Sequence, residues 1–111
     1  MFEYQIIIHE EDKATALLKG DIDIEATEMM EEELLSALEK FQEVELHFKD
    51  VLFVDSTGIG LLMNHVRELC EQKVKVTIIQ LSEDVYQVFD LLQIPEILGR
   101  EVFPEILFQN D

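Results

Sequence analysis

The residues with the most chemistry in their spacing are Asp55-Ser56-Thr57-Gly58-Ile59-Gly60. They follow an apolar run, Val51 to Val54, and precede a helical apolar stripe, so they stand where a strand hands over to a helix. In open α/β sheets, sites gather at this carboxyl edge. Asp55 or Ser56 can cap the helix by accepting a hydrogen bond from a free N–H two or three residues on. A serine at a helix N-terminus is exposed, and the surrounding N–H groups point outward. A phosphate placed there is stabilised by those groups and by the helix dipole. It adds roughly −1.5 to −2 charges beside Asp55, which a docked partner meets as repulsion and desolvation cost. Ser56 is therefore suited to be a phosphorylation switch. Spacing alone favours the plainer role of a cap and a tight turn.

Other chemistries fare worse. Gly58 and Gly60 resemble part of a phosphate loop, but no lysine follows, so nucleotide binding is a weak reading. Ser56 and His65 suggest a nucleophile and a base. Along one helix, however, their separation is roughly 13 Å, and they cannot pair. His47 reads as a half-exposed strand histidine, and His9 as solvated near a strand end. Asp21 and Asp23 flank Ile22 ahead of the first helix. Asp23 is either a cap or, if two loops converge, a contact near Ser56.

The elements that must position these residues follow from periodicity. Phe2, Tyr4, Ile6 and Ile8 alternate with polar residues as a strand. Ala14 to Lys19 reads as a second strand, joined through a turn at residues 10–13 and ended by Gly20. Met30, Leu34, Leu38 and Phe41 share one face of a helix spanning about residues 25–40, whose first half is crowded with glutamates. Val44, Leu46 and Phe48 alternate as a third strand, and Val74, Val76 and Ile78 as a fourth. Between them, Ile59, Leu62, Met63, Val66 and Leu69 or Cys70 form a helical stripe. Ser82 is an N-cap for a third helix with Val85, Val88, Phe89 and Leu92 inward. After Pro95 the signal weakens. Glu101-Val102-Phe103 reads as a short strand, and Pro104 as the start of a short terminal helix. The order β-β-α-β-α-β-α predicts an α/β fold, a four- to five-stranded mixed sheet with helices mainly on one face.

Composition narrows the function classes. The chain of 111 residues, 48% of them hydrophobic, has the size of one domain (1–111) and enough apolar material for a core. Its 25 acidic and 8 basic residues give a net charge of −17, which opposes binding to nucleic acid or to anionic membranes. The charge reads as solubility or as an acidic face for a basic partner. Cys70 is the only cysteine, so no internal disulfide forms and no ordinary zinc site is assembled. No signal peptide is visible and aliphatic runs are short, so the expected setting is the reducing cytoplasm.

With these residues in view, the chain resembles the STAS domain family, and within it the stand-alone bacterial anti-anti-sigma factors. The resemblance runs from about Ile6 to Leu98. It is carried by residues 49–60 (KDVLFVDSTGIG), with support from residues 18–23 (LKGDID) and 81–85 (LSEDV). It implies a partner switch rather than an enzyme. The unmodified domain binds an anti-sigma factor that is an ATP-binding serine kinase, and so frees the sigma factor. Phosphorylation of the matching serine, Ser56, releases the kinase, and a metal-dependent serine phosphatase resets it. Asp23, Asp55, Ser56, Thr57, Gly58, Ile59 and Gly60 match the docking surface. No cofactor is implied for the chain itself, because the kinase brings nucleotide and magnesium.

Three departures stand out. The family often has Thr-Gly where this chain has Leu92-Gln93, paired glycines where it has Lys73-Val74, and aspartate where His47 stands. The first two are expected to change turn geometry. Two rivals remain. A non-switching STAS module would serve as a stress-signalling scaffold or a transporter accessory subunit. An acyl-carrier-like protein would also be acidic with an Asp-Ser motif, but such carriers are all-helical. A serine hydrolase lacks a plausible base.

Overall fold

Alternation decides which face of each strand is buried, and register then lines those faces up. The computed structural model describes residues 1–10 and 12–106. Its strands are β1 (Glu3–Glu10), β2 (Lys13–Ile22), β3 (Glu43–Val54) and β4 (Lys75–Ile79), in spatial order β1-β2-β3-β4. The β1–β2 pair is antiparallel; β2–β3 and β3–β4 are parallel. Ile6, Ala16, Leu46 and Ile78 stand in one row across all four strands. Ala16, Leu46 and Ile78 are buried and Ile6 half-buried. The next row, Gln5, Leu17, His47 and Ile79, points the other way and holds no buried residue. Thus the helices cover one face and the other stays open. Each fully buried aliphatic side chain contributes about 1.5–3 kcal/mol relative to exposure.

The covering layer comprises α1 (Leu35–Leu38), α2 (Ser56–Glu71), α3 (Glu83–Leu91) and α4 (Ile94–Leu98). α2 buries Ile59, Leu61, Leu62, His65, Val66 and Leu69. Cys70, the alternative end of the predicted stripe, is exposed. Phe89 of α3 meets Phe48 of β3 edge-on at 6.0 Å, and Phe103 meets Phe89 at 6.1 Å. These edge-to-face pairs, each worth about 0.5–1.5 kcal/mol beyond burial, fix α3 and the C-terminal turn on the sheet. Ser82 caps α3 as expected, accepting from the Val85 N–H at 3.2 Å. Val88 and Leu92, expected to face inward, are exposed.

Several expectations need correction. Gly20 does not end β2. The strand continues to Ile22, with register shifts against β3 on either side of Gly20. Its φ of +94° suits glycine, and a methyl there would overlap the Met1 carbonyl. The predicted helix over residues 25–40 is composite. A 3-10 turn at Ile24–Ala26 leads to a π-helical segment, Met29–Leu34, and then to α1. Glu101–Phe103 is not a strand. Arg100–Val102 form a 3-10 turn, leaving four strands among the described residues. The predicted terminal helix is not seen through Ile106, and its remainder lies outside the described residues. α4 was missed because five residues carry too little periodicity. The strands overturn the all-helical carrier reading. No helix among the described residues is long and apolar enough to cross a membrane.

At two turns where the resemblance led to an expectation of glycine, this chain holds larger residues in a glycine conformation. Lys73 and Gln93 have φ of 67° and 59°. A left-handed conformation costs a non-glycine residue roughly 1–2 kcal/mol, partly offset by the entropy glycine loses on folding. Lys73→Gly and Gln93→Gly are each expected to stabilise the fold by about 0.5–1 kcal/mol, read as a higher urea midpoint at unchanged slope. Gly20→Ala should destabilise it by more than about 1 kcal/mol in the same assay.

Candidate functional site

β2 and β3 run parallel, so both deliver their C-terminal ends to one edge of the sheet. Ile22 lies opposite Val54 there, and the Asp55 N–H donates to the Ile22 carbonyl at 3.4 Å. The two loops that follow therefore converge. One carries Asp23, the other Asp55 and Ser56. Gly58 permits this closeness, because a methyl on it would overlap the Ile22 carbonyl. Gly60 faces open space, so its lack of a side chain is not a packing requirement.

Sequence left open whether Asp55 or Ser56 caps α2. Asp55 does, its carboxylate accepting from the Gly58 N–H at 2.8 Å. Ser56 is the first residue of the helix, exposed, and its hydroxyl makes no hydrogen bond among the described residues. Asp23 plays the matching role on the other loop, accepting from the Glu25 N–H at 3.0 Å. Both aspartates are thus spent on holding turns, and the serine hydroxyl is left uncommitted. A phosphate at Ser56 would sit on the positive end of the α2 dipole, which stabilises it locally.

The predicted docking residues divide by exposure. Ser56, Thr57 and Gly60 face solvent, and Asp23 and Asp55 are half-exposed. Gly58 and Ile59 are buried, so they seat the helix rather than offer side chains. Sequence reasoning missed three exposed apolar neighbours along these chain segments: Ile24, Leu52 and Phe53. Of the apolar run Val51–Val54, only the outer two residues are buried. A groove of about 600 Å³ lies beside the helix start, lined among others by Ile24, Thr27, Glu31, Thr57, Gly60 and Arg67.

The histidines supply no base for Ser56. His47 spends its Nε2 on Glu45 at 3.2 Å, on the open sheet face. His9 bonds Thr15 Oγ1 at 2.6 Å. His65 is buried, whereas Ser56 is exposed. No group of three or more His, Cys, Asp or Glu side chains among the described residues is placed to hold a metal ion.

This division of labour predicts a contrast at Asp55. Asp55→Asn keeps an acceptor and should cost only a few tenths of a kcal/mol, whereas Asp55→Ala should cost about 1 kcal/mol in urea unfolding. Gly58→Ala should cost more than Asp55→Ala, because the helix must back away from β2. Amide shifts around Asp23 should move with it.

Comparison with known proteins bears on the fold and the family. The STAS domain pattern matches residues 7–107. The anti-sigma-B factor antagonist of Bacillus subtilis is 26% identical over 81 residues, 73% of this chain and 74% of its own length. The unphosphorylated anti-sigma factor antagonist SpoIIAA superposes with a TM-score of 0.70 at 22% identity, covering 85% of this chain and 84% of that one. The STAS domain of a SulP transporter from Vibrio cholerae gives 0.68 at 26% identity, covering 87% and 75%. A pattern spanning nearly the whole chain, joined to a shared sheet and helix layer, makes this protein a member of the STAS domain family.

Proposed function

We propose that this single-domain chain is an anti-sigma factor antagonist controlled at Ser56. In this reading the unphosphorylated form binds an anti-sigma factor that is itself an ATP-dependent serine kinase, and so releases the sigma factor. The kinase transfers the γ-phosphoryl group of ATP to the Ser56 oxygen, ADP leaves, and the modified surface lets go. A metal-dependent serine phosphatase restores the hydroxyl. The protein acts as substrate and regulator in the cytoplasm, not as an enzyme, and contacts neither nucleic acid nor membrane.

The observation that carries the reading is the uncommitted, exposed Ser56 hydroxyl beside a cap already filled by Asp55. A serine needed for capping could not be modified without loosening the helix; this one can. Asp23, Asp55, Thr57 and Gly60 surround it as the contact surface, with Gly58 and Ile59 fixing the helix beneath. The Bacillus subtilis relative is named for antagonism of an anti-sigma factor, which supports the same role here. A second reading draws on the 26% identity to the transporter STAS domain. There, the same surface serves a scaffold or transporter and Ser56 needs no modification.

The test is capture of partners from the native cell extract on immobilised protein. Wild type should enrich a small ATP-binding serine kinase, and Ser56→Asp should retain at least tenfold less of it, about 1.4 kcal/mol of binding. Ser56→Ala should bind the kinase, take up no phosphate and change stability by less than about 0.5 kcal/mol. Equal capture of a transporter or scaffold by wild type and Ser56→Asp would replace the switch with the accessory role.

A further inference from the structure

His65 is the one described side chain with buried nitrogens that lack hydrogen-bond partners, and both its ring nitrogens do. It is 3% exposed. A buried polar group left unpaired costs about 1–3 kcal/mol, so its presence in α2 calls for a reason. It lines a cavity of about 50 Å³ between α2 and the facing π-helical segment. Met30 and Leu35 close that cavity on one side, Asn64 and Glu68 on the other, and Glu31 stands at it too. π-helical turns are rare and tend to mark functional positions.

The cavity suits a neutral imidazole and rejects a charged one. Burial pushes the His65 imidazole down to about 4. An imidazolium gains nothing from Met30 and Leu35. It gains from the two carboxyl groups at the same cavity, Glu31 on the π-helical segment and Glu68 on α2. The adjoining groove shares Glu31, Leu61 and Asn64 with this cavity, and Arg67 lines its wall. A proton on His65 therefore favours movement of the ring outward, between the two elements, toward the glutamates.

We propose that His65 is a pH-operated latch between α2 and the π-helical segment. The neutral ring lets the two elements close. The protonated ring turns toward Glu31 and Glu68 and parts them. The opening reaches the Ser56 surface, because two residues separate the π-helical segment from the 3-10 turn that Asp23 caps. That last consequence rests on the function proposed above; the opening of the cleft does not. The closed form holds fewer protons than the open one, so closure is complete above the ordinary histidine value near 6.5 and weakens as pH falls toward 4.

Amide hydrogen exchange by NMR, corrected for intrinsic rates, tests the latch without any partner. Between pH 7 and pH 5, opening of the Met30–Leu35 amides should become roughly twenty-fold more favourable in wild type. His65→Leu, which fills the site and cannot titrate, should show at most a threefold change, with His9 and His47 still present. His65→Gln serves as the second non-titrating variant if His65→Leu does not fold. The same twenty-fold change in a non-titrating variant would overturn the proposal. So would β3 amides that open at the same free energy as Met30–Leu35, since that is whole-chain unfolding. An imidazole carbon resonance for His65 titrating near 6.5 in the closed protein would overturn it as well.

Discussion

The backbone of α2 meets the backbone of β2 at Gly58, under the Ile22 carbonyl. The rest of the site follows from that contact. Parallel pairing of β2 and β3 brings Ile22 and Val54 to the same edge, and the glycine lets the next helix start there instead of a side chain's width away. Asp23 and Ser56, distant in sequence, then belong to converging loops. The longest strand, β3, holds the frame rigid. It pairs on both sides along its first half and carries Phe48, the first ring of the Phe48–Phe89–Phe103 series.

On that frame the polar groups are shared out so that structure and chemistry do not compete. Asp55 and Asp23 spend their carboxylates on N–H groups of their own turns. Ser56 holds nothing in place. Its environment is still well defined, because the helix dipole and the first free N–H groups surround it. Negative charge added there would meet the positive end of the α2 dipole. The exposed Ile24, Leu52 and Phe53 lie on the chain segments that lead into or out of these caps, where apolar contact can add to any polar recognition.

The helical layer carries the irregular backbone. Between the Asp23 turn and α1, the chain passes from 3-10 to π to α geometry within fifteen residues, 24–38. Met30, Leu34 and Leu38 still reach the core from it, so hydrophobic spacing is kept while hydrogen-bond spacing is not.

Much of this was legible in the residues. Alternation located β1, β3 and β4, because a period of two has one way to bury a face, while β2 was read from the turn before it and the glycine after it. Helical spacing located the stripes that cover the sheet, and the Asp-Ser-Thr-Gly string marked the strand-to-helix junction. Local sequence also allowed two candidates for the cap. Only tertiary structure chose Asp55, since the answer depends on how the chain leaves β3. It also decided that β2 runs through Gly20, because pairing with β3 outweighs a residue that usually breaks a strand. It made Arg100–Val102 a turn, where three apolar-flanked residues fit either state. Helical spacing puts position 65 on the same face as Leu62, Val66 and Leu69, but the residue type spoke against its burial. A histidine at that spacing reads as polar, and its solvent access depends on Met30 and Leu35, which are brought to it from thirty and more residues away.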